Sequence, residues 1–81
     1  METRMIFSVR IRNLRTSNGY SQQQIAKFLQ VAPNTYSRYE CGKILCPLDM
    51  VIRLAQYFHT SVDYLAGLTD TPAPHPRRKS P

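Results

Sequence analysis

Asn34, Thr35, Ser37 and Arg38 stand within five residues of one another, and they are the side chains of this 81-residue chain best suited to recognition chemistry. A guanidinium such as that of Arg38 matches the paired acceptors O6 and N7 of guanine. A carboxamide such as that of Asn34 matches N6 and N7 of adenine. For Arg38 the base contact is favoured over its rivals, a phosphate contact or a solvated helix charge, whereas Asn34 equally suits a first-turn helix cap. The short Ser37 fits a phosphate or a thymine methyl, and Thr35 lies at the edge of the same surface.

Other reactive types do not assemble into a catalytic set. Cys41 and Cys46 are separated by four residues, with no adjacent His or further Cys. They read as two reduced structural thiols, not as a zinc site or a disulfide framework. His59 falls at a helix end and complements its negative pole, while His75 lies in a proline-rich segment. The chain has no glycine-rich phosphate loop, no metal-ligand spacing and no Ser/Cys–His–acid set with local support. The expectation is therefore no enzyme, no metal and no cofactor.

The elements that must position these residues follow from helical spacing. Phe7, Ile11 and Leu14 recur at i, i+4, i+7, with Arg10, Arg12 and Asn13 on the opposite side, and Asn18-Gly19 suits a left-handed stop. Ser21 and Gln24 form a capping box for a second helix over about Gln22–Leu29, burying Ile25, Ala26 and Leu29. Pro33 suits the first turn of a third helix over Pro33–Cys41, with Tyr36 and Tyr39 inward and Gly42 as its stop. Pro47 opens a fourth helix whose apolar face is Leu48, Val51, Ile52, Leu54, Ala55 and Phe58. Ser61 caps a short fifth helix containing Val62 and Leu65, ended by Gly67. No alternation of the strand type is present. The expected fold is all-α. Residues 1–70 form the domain, and residues 71–81, with four of the six prolines, form a flexible basic tail.

Composition limits the partners. The chain carries 11 Lys and Arg against 5 Asp and Glu, a formal charge of +6. Such a surplus in a small domain points to a polyanion. Eight basic and five acidic residues lie within 1–70, so Arg77, Arg78 and Lys79 of the tail supply half of the surplus. No apolar run approaches the roughly 18 residues that span a bilayer. The first seven residues lack the apolar stretch of a secretory signal. A cytoplasmic location without membrane binding is expected.

Residues 21–40, Ser-Gln-Gln-Gln-Ile-Ala-Lys-Phe-Leu-Gln-Val-Ala-Pro-Asn-Thr-Tyr-Ser-Arg-Tyr-Glu, join two helices across a short turn and show polar residues outward on the second. With Ile11-Arg12-Asn13-Leu14-Arg15, Cys41-Gly42-Lys43, Leu54-Ala55 and Ser61-Val62-Asp63-Tyr64-Leu65-Ala66-Gly67, the chain resembles the Xre family, the Cro and phage-repressor type of helix-turn-helix. The likeness runs from about Phe7 to Asp70. It implies a compact five-helix, lambda-repressor-like DNA-binding domain with its helix-turn-helix at about residues 21–41, acting as a homodimer on a two-fold operator. It also implies that Pro33, Asn34, Ser37 and Arg38 face base edges. Gln22 and Lys43 would contact the DNA backbone, joined by Thr35 at the edge of the surface. Arg15 and Glu40 would form a buried ion pair tying helix one to helix three.

Some residues depart from the family pattern. Gln30 replaces the usual turn glycine, Ala32 replaces a Ser or Thr cap, and His59 replaces a helix-ending glycine. Phe28, Ile44 and Leu45 are apolar where polar residues are common, and so mark either an interface or local packing. The reading that follows is a sequence-specific DNA-binding transcriptional regulator, repressing by occupying a promoter. One alternative is the DNA-binding antitoxin of a toxin–antitoxin pair, with a protein partner on the Phe28, Ile44 and Leu45 group and the tail. The other is a protein-interaction adaptor of the same fold.

Overall fold

The computed structural model describes residues 3–74, which form five α-helices joined by short connections. They are α1 (Thr3–Ser17), α2 (Gln22–Leu29), α3 (Pro33–Glu40), α4 (Leu48–Tyr57) and α5 (Val62–Ala66). No strand occurs among the described residues. The fold is thus all-α, as the spacing predicts.

Helix starts follow the cap residues. The Gln24 main-chain N–H donates to Ser21 Oγ at 3.1 Å, and the Ser21 N–H donates to Gln24 Oε1 at 2.7 Å, which completes the capping box of α2. Ser61 Oγ accepts from the Tyr64 N–H at 2.9 Å at the start of α5. Ala32 before α3 and Pro47 before α4 offer no side-chain cap.

Helix ends share one device. In each case two main-chain N–H groups turn back onto the last carbonyls, one spanning five residues and one spanning three. For α1 these are Tyr20 N–H to Arg15 O and Gly19 N–H to Thr16 O; for α3, Lys43 N–H to Arg38 O and Gly42 N–H to Tyr39 O. The arrangement needs a left-handed residue at the turn. Glycine fills it after α1, α3 and α5, but Gln30 (φ 60°) fills it after α2 and His59 (φ 53°) after α4. A side chain in that conformation costs about 1 kcal/mol.

The core joins Phe7 and Ile11 of α1, Ile25, Ala26 and Leu29 of α2, Tyr36 and Tyr39 of α3, Leu54 and Ala55 of α4, and Leu65 of α5. Cys46 is buried with them, which pushes its thiol up to about 12, while Cys41 is exposed; both are free. The apolar face of α4 is narrower than the composition of that helix suggests. Val51, Leu54, Ala55 and Phe58 turn inward, but Leu48 and Ile52 are 66% and 40% exposed. Those two lie one turn apart on a side of the helix that no other helix covers completely.

Two further expectations are corrected. Phe28 does not share a surface with Ile44 and Leu45. Its ring packs 4.4 Å from that of Tyr57, in an aromatic group with Tyr20 and Phe58, whereas Ile44 and Leu45 stay exposed. Arg10, placed by spacing on the outer side of α1, lies 4.2 Å over the Tyr64 ring. It donates to the carbonyls of Tyr64 and Thr69 and pairs with Asp70 at 3.0 Å, fastening the chain after α5 to α1. Of the segment assigned to the tail, residues 71–74 are described. Thr60 Oγ1 donates to Pro72 O at 2.7 Å, so the chain lies against the α4–α5 turn there. The remainder, 75–81, with its three basic residues and His75, lies outside the described residues.

Candidate nucleic-acid interface

Glu40 ends α3 with its carboxylate buried. Arg15 on α1 grips it with both edges of the guanidinium: Nε donates to Oε2 at 2.8 Å and Nη2 to Oε1 at 2.7 Å. A third donor, Nη1, reaches Tyr20 O at 2.8 Å in the α1–α2 connection. Such planar two-point pairing is a property of guanidinium and carboxylate together. Gln22, in the first turn of α2, donates its amide Nε2 to Glu40 Oε1 at 3.2 Å. One carboxylate therefore ties the end of α3 to α1 and to the beginning of α2.

The electrostatics match this arrangement. Burial alone raises a carboxyl, but the Arg15 hydrogen bond, followed by the Tyr36 hydroxyl and the Gln22 amide beside it, outweighs this and holds Glu40 below its usual range. The Arg15 guanidinium is held more basic by the same hydrogen bond. Tyr36 is buried beside the pair, and burial followed by the Glu40 charge pushes its hydroxyl up. The ion pair implied by the family resemblance is thus present as a brace between three helices.

The brace leaves the opposite side of α3 open. Pro33, Asn34 and Arg38 are exposed, and Thr35 and Ser37 are half-buried. Tyr36 and Tyr39 face inward, as predicted. Lys43 is exposed, and its main-chain N–H is bonded to Arg38 O at 3.0 Å, so the turn after α3 sets it next to the Arg38 end of the helix. Gln22 is half-buried because of its bond to Glu40, which uses one of its two amide N–H groups and leaves the other. The main-chain N–H groups of Gln22 and Gln23 make no hydrogen bond among the described residues, and they lie at the positive end of α2. Exposed polar residues on α3 and free donors at the start of α2 are thereby fixed relative to each other through Glu40.

Sequence reasoning missed two arginines that act at a distance. Arg10 fastens the chain end to α1, and Arg53 on α4 binds carbonyls at the end of α2. Both bind main-chain carbonyls, which every residue has, so no residue type marks their targets. Among the described residues no group of three or more His, Cys, Asp or Glu could hold a metal ion, and no helix is long and apolar enough to cross a membrane.

Two short helices about a tight turn, the second presenting polar side chains and braced from behind, define a helix-turn-helix domain. The chain belongs to the Xre-type helix-turn-helix family: a family model described as helix-turn-helix matches residues 11–65. This is a family of DNA-binding regulators, not of enzymes. Among curated relatives, the HTH-type transcriptional regulator YobD of Bacillus subtilis is 36% identical over 75 residues, covering 93% of this chain and 67% of the relative. The SPbeta prophage-derived HTH-type transcriptional regulator YonR of Bacillus subtilis is 38% identical over 60 residues, covering 74% and 56%. The cryptic phage CTXphi transcriptional repressor RstR of Vibrio cholerae is 32% identical over 66 residues, covering 82% and 60%. The chain thus matches 56–67% of the length of these three relatives. No solved structure matches.

Proposed function

We propose that this chain is a sequence-specific transcriptional regulator that inserts α3 into the major groove and represses by occupying its operator. The observation that carries the proposal is the open face of α3, with Asn34 and Arg38 exposed while Glu40 behind them is locked to Arg15 and Gln22. Asn34 and Arg38 read bases, Pro33 offers an apolar contact to a thymine methyl, and Ser37 stands beside them at the groove. Gln22, the N–H groups at the start of α2, Thr35 and Lys43 fix register on the phosphates. A homodimer places two such helices on half-sites about 34 Å apart. The similarity to the phage repressor RstR supports repression over activation.

Replacing Arg38 with Ala tests the reading directly. The expected loss is about 1–3 kcal/mol of operator affinity, with preference relaxed at one base position. Equal losses on all duplexes would instead assign Arg38 to phosphate. Removing residues 75–81 takes away three positive charges and keeps the Thr60–Pro72 contact. Affinity should then fall alike for operator and random duplex, the salt dependence should become shallower, and the preferred operator should stay the same. A changed operator, measured by binding-site selection with the shortened chain, would place the tail in sequence reading.

A further inference from the structure

The helix-turn-helix turn has weak local support. Gln30 occupies the left-handed position where glycine is at ease, and Ala32 gives α3 no side-chain cap. The Gln30 and Val31 N–H groups bond Lys27 O and Ala26 O, but no main-chain N–H among the described residues bonds the carbonyls of Phe28 or Leu29. Arg53 of α4 fills that gap. Its Nη2 donates to Phe28 O at 2.9 Å, and its Nη1 lies 3.5 Å from Leu29 O. The guanidinium rests over the Phe28 ring, 5.2 Å from its centroid, and that ring is backed by Tyr57. A cation at this point also meets the negative end of α2.

Resting on the DNA-reading proposal above, we infer that Arg53 is a positioning residue for the recognition helix. From α4 it clamps the last carbonyls of α2 and holds the turn that sets α3 against α2. Only Val31 and Ala32 separate Gln30 from the first residue of α3, so a shift at the turn passes directly to Asn34. The clamp replaces what a glycine would do unaided. Arg53 acts on base reading through the turn, without itself being a reading residue.

The test compares the wild type with Arg53→Ala, Arg53→Lys and the double variant Arg53→Ala/Gln30→Gly. Each is measured on the wild type's selected operator and on a shuffled duplex, at a temperature where circular dichroism shows full helix content. For Arg53→Ala, operator affinity should fall about tenfold, the equivalent of one hydrogen bond from a charged group, with about twofold or less on the shuffled duplex. Arg53→Lys, which keeps the charge but loses the planar fork, should fall between. Gln30→Gly should restore most of the preference in the Arg53→Ala background, because glycine takes the left-handed turn without a clamp. An unchanged operator-to-shuffled ratio in Arg53→Ala and Arg53→Lys, with only the melting temperature lowered, would overturn the inference. If Arg53→Ala does not fold, the lysine and double variants carry the same comparison. A wild type with no sequence preference would sink the DNA-reading proposal itself, and the inference with it.

Discussion

Replacing Glu40 with Ala should lower the stability of the domain by about 3–5 kcal/mol, the cost of breaking a buried ion pair from one side. The Arg15 side chain is 14% exposed and the Glu40 side chain 2%, so the guanidinium left behind keeps little water to replace its partner. Gln22 loses its acceptor at the same time. A domain of this size has a total stability of about 4–12 kcal/mol, so the variant should melt far below the wild type or be largely unfolded at 25 °C. The folded carboxyl lies below its usual range, so its contribution is fully present above the ordinary carboxylate pKa of 4.5 and is lost as pH falls through the folded value. In that acid window the unfolded chain binds the extra proton. Urea melts between pH 7 and pH 2 should therefore show a steep acid loss in the wild type and a shallower one in Glu40→Gln. Identical acid profiles would show that the brace contributes nothing.

On α4, Leu54→Ala and Leu48→Ala should differ widely although both remove the same atoms. Leu54 is fully buried among the core side chains, and its truncation should cost about 2–5 kcal/mol through lost burial and the cavity left behind. Leu48 is 66% exposed, and its truncation should stay within about 0.5 kcal/mol. Denaturant midpoints of the two variants decide the matter, and similar losses would mean that the Leu48 side is covered in solution.

This contrast also shows how much was legible in the sequence. Helical spacing identifies α4 and most of its inward residues, but an apolar residue at the edge of the stripe has the same spacing whether or not a neighbour covers it. By spacing, Leu48 and Ile52 therefore belong to the buried face, yet they lie outside it. Cap chemistry was legible because it is local. Ser21 with Gln24, Ser61, and the glycines at 19, 42 and 67 mark helix ends within a few residues. The left-handed Gln30 and His59 carry no such mark by type, and only the comparison with the family pattern exposed them.

At the site, the outward set on α3 followed from the inward Tyr36 and Tyr39, and the Arg15–Glu40 pair followed from the resemblance. The bond from Gln22 to Glu40 did not follow, nor did the reach of Arg10 and Arg53. Each joins residues at least 18 positions apart through flexible side chains, where neither period nor propensity carries information. The bond from Gln22 to Glu40 holds the polar residues of α3 in place against the start of α2.

On the proposed function, the exposed face of α3 reads a base sequence. Selection of bound duplexes from random DNA, repeated with Arg38→Ala, tests it most directly. The wild type should enrich a two-fold sequence with half-sites about one helical turn apart, and the variant should lose preference at the Arg38-contacted position of each half-site. Recovery of duplexes without any common sequence, at low salt where binding itself is evident, would contradict it.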